Sequence, residues 1–125
     1  MTNPFVHVEL QTRDLPKAKD FYARLFDWKL QDLPMPQGGS YTIIDVGGGT
    51  GGGMFANPDP RESPRWMAYV GVDDIRAMTE KARQLGATIC VDVTEVGDFG
   101  WMSMFTDPTG ATLALWQPKN PQQQG

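Results

Sequence analysis

Phe5-Val6-His7-Val8-Glu9-Leu10 decides the fold, because Arg65-Trp66-Met67-Ala68-Tyr69-Val70 echoes it 60 residues later. The first hexapeptide alternates as a half-buried strand does. Phe5, His7 and Glu9 share one face, and Val6, Val8 and Leu10 share the other. The same step of 60 carries Asp14-Leu15 onto Asp74-Ile75, Leu25 onto Leu85, Tyr41 onto Trp101 and Phe55 onto Leu115. It also carries the glycine run Gly47–Gly53 onto the turn-rich stretch Asp107–Leu113, and no gap is needed. Coincident order and spacing at low identity mark a tandem repeat.

Each half predicts the order β-α-β-β-β. In the first, Asp14 is an N-cap with Pro16 in the first turn, and Ala18, Phe21, Tyr22 and Leu25 fall at helical spacing over 15–26. Strands are expected at 5–10, 28–32, 41–46 and 54–56, with a loop at 34–39. In the second half Asp74 caps a helix striped by Ile75, Met78, Ala82 and Leu85, and Gly86 closes it. Strands follow from the same reasoning at 66–72, 88–93, 101–105 and 113–116. Pro58, Pro60 and Pro64 make 57–64 a linker. The expected organisation is one domain over 1–118, with module one at 4–56, module two at 65–117 and a disordered polar tail at 118–125.

A chain of 125 residues suits one compact domain that needs no metal or disulfide staple. Its net charge of −4 opposes nucleic acid as a partner, since phosphate binding needs a cationic face. One cysteine excludes an internal disulfide and fits a reducing compartment. Cys90 itself reads as a buried strand residue. The opening MTNPFVHVEL lacks the pattern of a signal peptide, and no window approaches the ~18 apolar residues of a membrane span. A cytoplasmic protein with no membrane partner is the expectation. Gly47–Gly53 contains G-x-G-x-x-G, yet no helix follows to receive a phosphate, so nucleotide binding is set aside in favour of a hairpin loop or cavity lip.

Several motifs recur in a family-like order: Val8-Glu9-Leu10, Thr12-Arg13-Asp14-Leu15, Ala18-Lys19-Asp20-Phe21-Tyr22 and Leu25-Phe26-Asp27-Trp28. Val72-Asp73-Asp74-Ile75, Leu85-Gly86 and Asp107-Pro108-Thr109-Gly110 complete the series. In this order they resemble the glyoxalase-like branch of the vicinal oxygen chelate superfamily over residues 4–118. That superfamily includes glyoxalase I, extradiol dioxygenases and bleomycin- or fosfomycin-resistance proteins. The resemblance implies an α+β fold of two tandem βαβββ modules whose cupped mixed sheet encloses a cavity between modules. It also implies a homodimer, whose interface the sequence does not locate.

The resemblance further implies metal ligands on the first and last strand of each module, at His7, Met54, Met67 and Ala114 in this chain. Only His7, the single histidine, keeps a ligating side chain of the family type. A thioether suits soft ions, and a methyl group ligates nothing. Glu9, on the same strand face, adds one carboxylate. The expectation is therefore no metal cofactor, with a divalent metal as the alternative. His7 and Glu9 are the candidate proton-handling or orienting residues. Met54, Met67, Tyr69, Trp101 and Ala114 are the candidate ligand-binding lining. Each has a plainer alternative: His7 as an imidazole hydrogen-bonded beside the core, the others as core packing. The leading functional reading is binding of a small organic molecule, as resistance proteins sequester a drug. The alternatives are a metal-using lyase, isomerase or dioxygenase of the same superfamily, and a non-catalytic interaction module.

Overall fold

The computed structural model describes residues 2–35, 39–57, 59, 61 and 63–120. Its elements are β1 (Phe5–Thr12), α1 (Leu15–Leu25), β2 (Lys29–Pro34), β3 (Ser40–Asp45), β4 (Gly52–Ala56), β5 (Arg65–Gly71), α2 (Ile75–Gln84), β6 (Thr88–Val96), β7 (Gly100–Thr106) and β8 (Thr112–Pro118). The order β-α-β-β-β occurs twice, as the repeat predicts. Two compact units divide the chain, one holding His7–Met67 and the other Met1–Val6 with Ala68–Gly125. In the first, β2, β3 and β4 pair antiparallel and β1 lies parallel to β4. In the second, β6, β7 and β8 pair antiparallel and β5 lies parallel to β8.

Both helices start where an aspartate can cap them. The Asp14 carboxylate accepts from Lys17 N–H at 3.1 Å, and the Asp74 carboxylate accepts from Ala77 N–H at 3.1 Å. Each satisfies a backbone donor that the first turn leaves without an intrahelical partner. The C-termini differ. Phe26 leaves α1 in an extended conformation, φ −121°. Gly86 follows α2 at φ +104°, the left-handed region where a side chain is strained. The core of the first unit is Leu10, Ile44 and Met54, packed with Leu15, Ala18, Tyr22, Trp28, Leu30 and Val46. That of the second is Val72, Ile75 and Leu115, with Val70, Met78, Val93, Trp101 and Phe105 around them. Thr79 of α2 and Ser103 of β7, both buried, share a 2.8 Å hydroxyl contact there.

The repeat is not gapless. Val8 lies opposite Gly52, 44 residues on, whereas Tyr69 lies opposite Ala114, 45 residues on. The step of 60 holds for β1, β5 and the two helix caps. From the third strand of each unit it becomes 61: Thr42 opposite Met54 answers to Ser103 opposite Leu115. One extra residue enters between α2 and β7. Strand β6 has nine residues against six in β2, and its pairing slips between Ile89 and Val91 and again between Val91 and Thr94. In a strand, one residue of slip moves a side chain to the opposite face.

Smaller corrections follow the same strands. Gly52 and Gly53 belong to β4 rather than to the glycine loop. Strand β8 runs to Pro118, and Lys119 N–H donates to Phe99 O at 2.9 Å, so the expected tail does not begin at 118. Its remainder, 121–125, lies outside the described residues, as do 36–38 of the expected loop and 58, 60 and 62 of the linker. Cys90 is exposed, not buried, because β6 is the outer strand of its sheet; Sγ sits 3.2 Å from Thr106 Oγ1. Among the described residues no helix is long and apolar enough to cross a membrane.

Candidate functional site

Leu10 anchors β1 to the α1-side core, so alternation turns His7, Glu9 and Gln11 to the opposite face. There they join a chain of hydrogen bonds. Arg65 Nε donates to Gln11 Oε1 at 2.8 Å, and Gln11 Nε2 donates to Glu9 Oε2 at 3.1 Å. The Tyr41 hydroxyl donates to Glu9 Oε1 at 2.9 Å. With that proton committed, the Tyr41 oxygen accepts from His7 Nε2, 2.7 Å away, which assigns the Nε2–H tautomer. Every donor points toward Glu9. A carboxylate only 7% exposed needs such partners to hold its charge away from water.

Burial pushes the His7 imidazole below its ordinary 6.5, and the neighbouring Glu9 charge opposes that shift without cancelling it. The shift favours the neutral ring.

Tyr41 reaches β1 only because of a glycine. Its strand is separated from β1 by β4, and Gly53 stands opposite both Ile43 and Glu9. A Cβ on Gly53 would lie 2.1 Å from the Tyr41 hydroxyl oxygen and 2.3 Å from its ring. The bare backbone leaves the phenol room to cross. Phe55 stacks on the same ring at 6.5 Å between centroids. The neighbouring Gly52 has a different reason: a Cβ there would meet the Val8 carbonyl oxygen at 2.1 Å and force β1 from β4.

The donor set does not fit a divalent cation of the family type. His7 and Glu9 supply one imidazole and one carboxylate, both bonded to Tyr41, and Gly53 opposite Glu9 supplies nothing. Among the described residues no three His, Cys, Asp or Glu side chains come together.

The structure brings His7 and Glu9 together and disperses the rest of the expected lining. Met54 is fully buried against α1, on the face away from Glu9. Trp101 packs beside Val72, Ile75 and Leu115 on the α2 side, with Lys119 Nζ 5.3 Å from its ring centroid. Both placements correct the expectation: Met54 shares the helix-facing side with its register partner Leu10, and one residue past the step of 60 the repeat equivalent of Tyr41 is Met102, not Trp101, and that of Gly53 is Ala114. Tyr69 and Ala114 are register partners in the second unit, both buried, with Tyr69 edge-on to Trp116 at 6.5 Å. Met67 is buried at the end of the first unit. The sequence reading missed Gln11, Tyr41, Gly53 and Arg65. Extending the alternation His7, Glu9 by one step finds Gln11. Nothing in the sequence signals Arg65.

The model of the Glyoxalase/Bleomycin resistance protein/Dioxygenase superfamily matches residues 5–115. CFP32 of Mycobacterium tuberculosis, which bears a glyoxylase's name, is 38% identical over 114 residues, covering 88% of this chain and 44% of its own. The anthracycline biosynthesis protein DnrV of Streptomyces peucetius is 27% identical over 123 residues, 87% of this chain and 45% of its own. The chain thus spans less than half the length of these curated relatives. Among solved structures, methylmalonyl-CoA epimerase from Mycobacterium tuberculosis superposes with a TM-score of 0.72 at 17% identity, over 94% of this chain and 89% of that one. With two βαβββ units and a family match over most of its length, the chain belongs to the glyoxalase/bleomycin resistance protein/dioxygenase superfamily.

Proposed function

We propose that the face of β1 bearing His7, Glu9 and the Tyr41 phenol binds a small organic molecule and handles its polar group or proton without a metal ion. The observation that carries this reading is the buried chain from His7 through Tyr41 to Glu9. A molecule that gives a proton to neutral His7 leaves an imidazolium, and Glu9 stabilises that cation through the intervening phenol. A molecule that gives none is still oriented by the same donors. Relatives named for anthracycline biosynthesis and as a glyoxylase keep small organic molecules as the ligand class.

A thermal-shift screen of small organic compounds tests it. A ligand at 100 times its Kd stabilises by about 2.7 kcal/mol, several degrees in Tm. The expected result is a hit that survives chelator and is lost in His7→Ala, Glu9→Ala and Tyr41→Phe. A hit that requires a divalent metal, or one indifferent to all three substitutions, overturns the reading.

A further inference from the structure

Three rings lie side by side on the face of the first unit that carries Glu9. The Tyr41 ring is 6.2 Å from the His7 imidazole and 6.5 Å from the Phe55 ring, centroid to centroid, and each pair is inclined by 26°. Phe55 stands opposite Gln11, and Gln11 is two alternations beyond His7, so the rings follow the strands as a row rather than a pile. The row lies close to the sheet because β4 has no side chain at Gly53. A Cβ there would fall 2.1 Å from the Tyr41 hydroxyl oxygen, so the phenol end lies across bare backbone. Ile43, opposite Gly53, and Leu33, opposite Tyr41, extend the same face with aliphatic side chains. His7, Leu33, Tyr41, Ile43 and Phe55 are all half-buried, neither core nor open surface.

The second unit arranges its rings otherwise. Trp116 stands at the position of Phe55 and Met102 at that of Tyr41, and Trp116 meets Tyr69 edge-on at 84°. Edge-on rings interlock, whereas near-parallel neighbours turn their faces the same way.

We propose that the ligand of the first unit's face is an uncharged planar aromatic compound lying flat on the row of His7, Tyr41 and Phe55. This rests on the ligand reading of the same face and names its chemical class. Shape is the first reason. A flat ring system meets the row over its whole face, and dispersion falls steeply across a gap of roughly half an ångström, such as a puckered saturated ring leaves. Charge is the second. Arg65 reaches Glu9 through Gln11, so the carboxylate already has its counter-charge on the protein. A ligand carboxylate would face Glu9 without a counter-ion. A ligand cation would compete with Tyr41 and Gln11 for carboxylate oxygens that already accept from them.

Naphthol and its saturated counterpart decahydronaphthol test the class, because they share one hydroxyl and one carbon skeleton and differ in flatness. Titration calorimetry on the full chain should find naphthol bound roughly tenfold more tightly, the effect of two ring contacts of ordinary strength. Phe55→Leu keeps an apolar side chain but removes one ring, and should weaken naphthol roughly threefold without weakening decahydronaphthol. Phe21→Leu, at an exposed ring on α1, should change neither. Should Phe55→Leu fail to fold, proton NMR of the wild type decides. Signals of the single imidazole should move upfield with naphthol, as they do over a ring face, and stay in place with decahydronaphthol. Equal affinities, no binding of naphthol up to its solubility, or imidazole signals that naphthol leaves in place overturn the proposal. Equal affinities that both vanish in His7→Ala overturn the aromatic class alone and leave the ligand reading of the face standing. Naphthol binding indifferent to both Phe55→Leu and His7→Ala lies elsewhere on the protein and overturns the proposal.

Discussion

The two units share one chain order, yet they furnish the sheet face away from the helix with different side chains, and in the first that face carries a polar chain. That face holds His7, Glu9, Gln11 and the crossing Tyr41. In the second unit Glu9 becomes Tyr69, Gln11 becomes Gly71, Tyr41 becomes Met102 and Gly53 becomes Ala114. Tyr69, Met104 and Ala114 are buried there. The first unit's face carries a hydrogen-bonded chain, and the equivalent positions of the second hold thioethers, a methyl group and a phenol. Duplication fixes the frame, and a handful of side chains then set the two faces apart.

The adjacent glycines of β4 give the sharpest way to break the comparison. Gly52→Ala sets a methyl against the Val8 carbonyl, which is backbone and cannot step aside. It should cost more than about 4 kcal/mol by denaturant unfolding, in the exceptional class for one substitution. Gly53→Ala meets only the flexible end of Tyr41, so the fold should survive while the phenol leaves His7 and Glu9. Ligand affinity should then fall as far as in Tyr41→Phe, by about 1–3 kcal/mol, or roughly fivefold to 150-fold by titration calorimetry. In the second unit Ala114→Gly removes a buried methyl worth about 1 kcal/mol of stability and should leave ligand affinity unchanged.

The smallest effect is pH dependence. The folded state resists protonation of His7, while the unfolded chain takes up that proton near 6.5. Stability from this source is complete above 6.5 and declines as pH falls through it toward the lower folded value. His7→Gln should flatten the stability curve in that window. The carboxylates of Asp32, Asp59 and Asp107, held down by bonds to Lys19, Arg61 and Thr109, act lower, below their usual 3.8, and should be unaffected.

Element order, both caps and the family were legible because periodicity and aspartate-before-helix spacing are local signals. His7 and Glu9 were legible for the same reason, lying two apart on one strand. Trp101 was misplaced because a sequence offset cannot reveal where a strand slips, and a slip of one exchanges faces. Met54 was misplaced because its face is set by pairing with Leu10, a contact between distant residues. Tyr41 was hidden further. Its role depends on a glycine in the strand between, and that glycine sat in a run that looks like a loop. The exposure of Cys90 required knowing that β6 lies at a sheet edge.

Because His7 is the only histidine, its ring is the one imidazole signal in the protein. Nitrogen NMR of that ring, titrated with pH in wild type and Tyr41→Phe and then with a screened ligand, tests the donor chain directly. The expected result is an Nε2–H tautomer that titrates below 6.5, shifts when the phenol is removed and moves again when ligand binds. An imidazole that titrates at or above 6.5 and ignores both Tyr41 and ligand would contradict it.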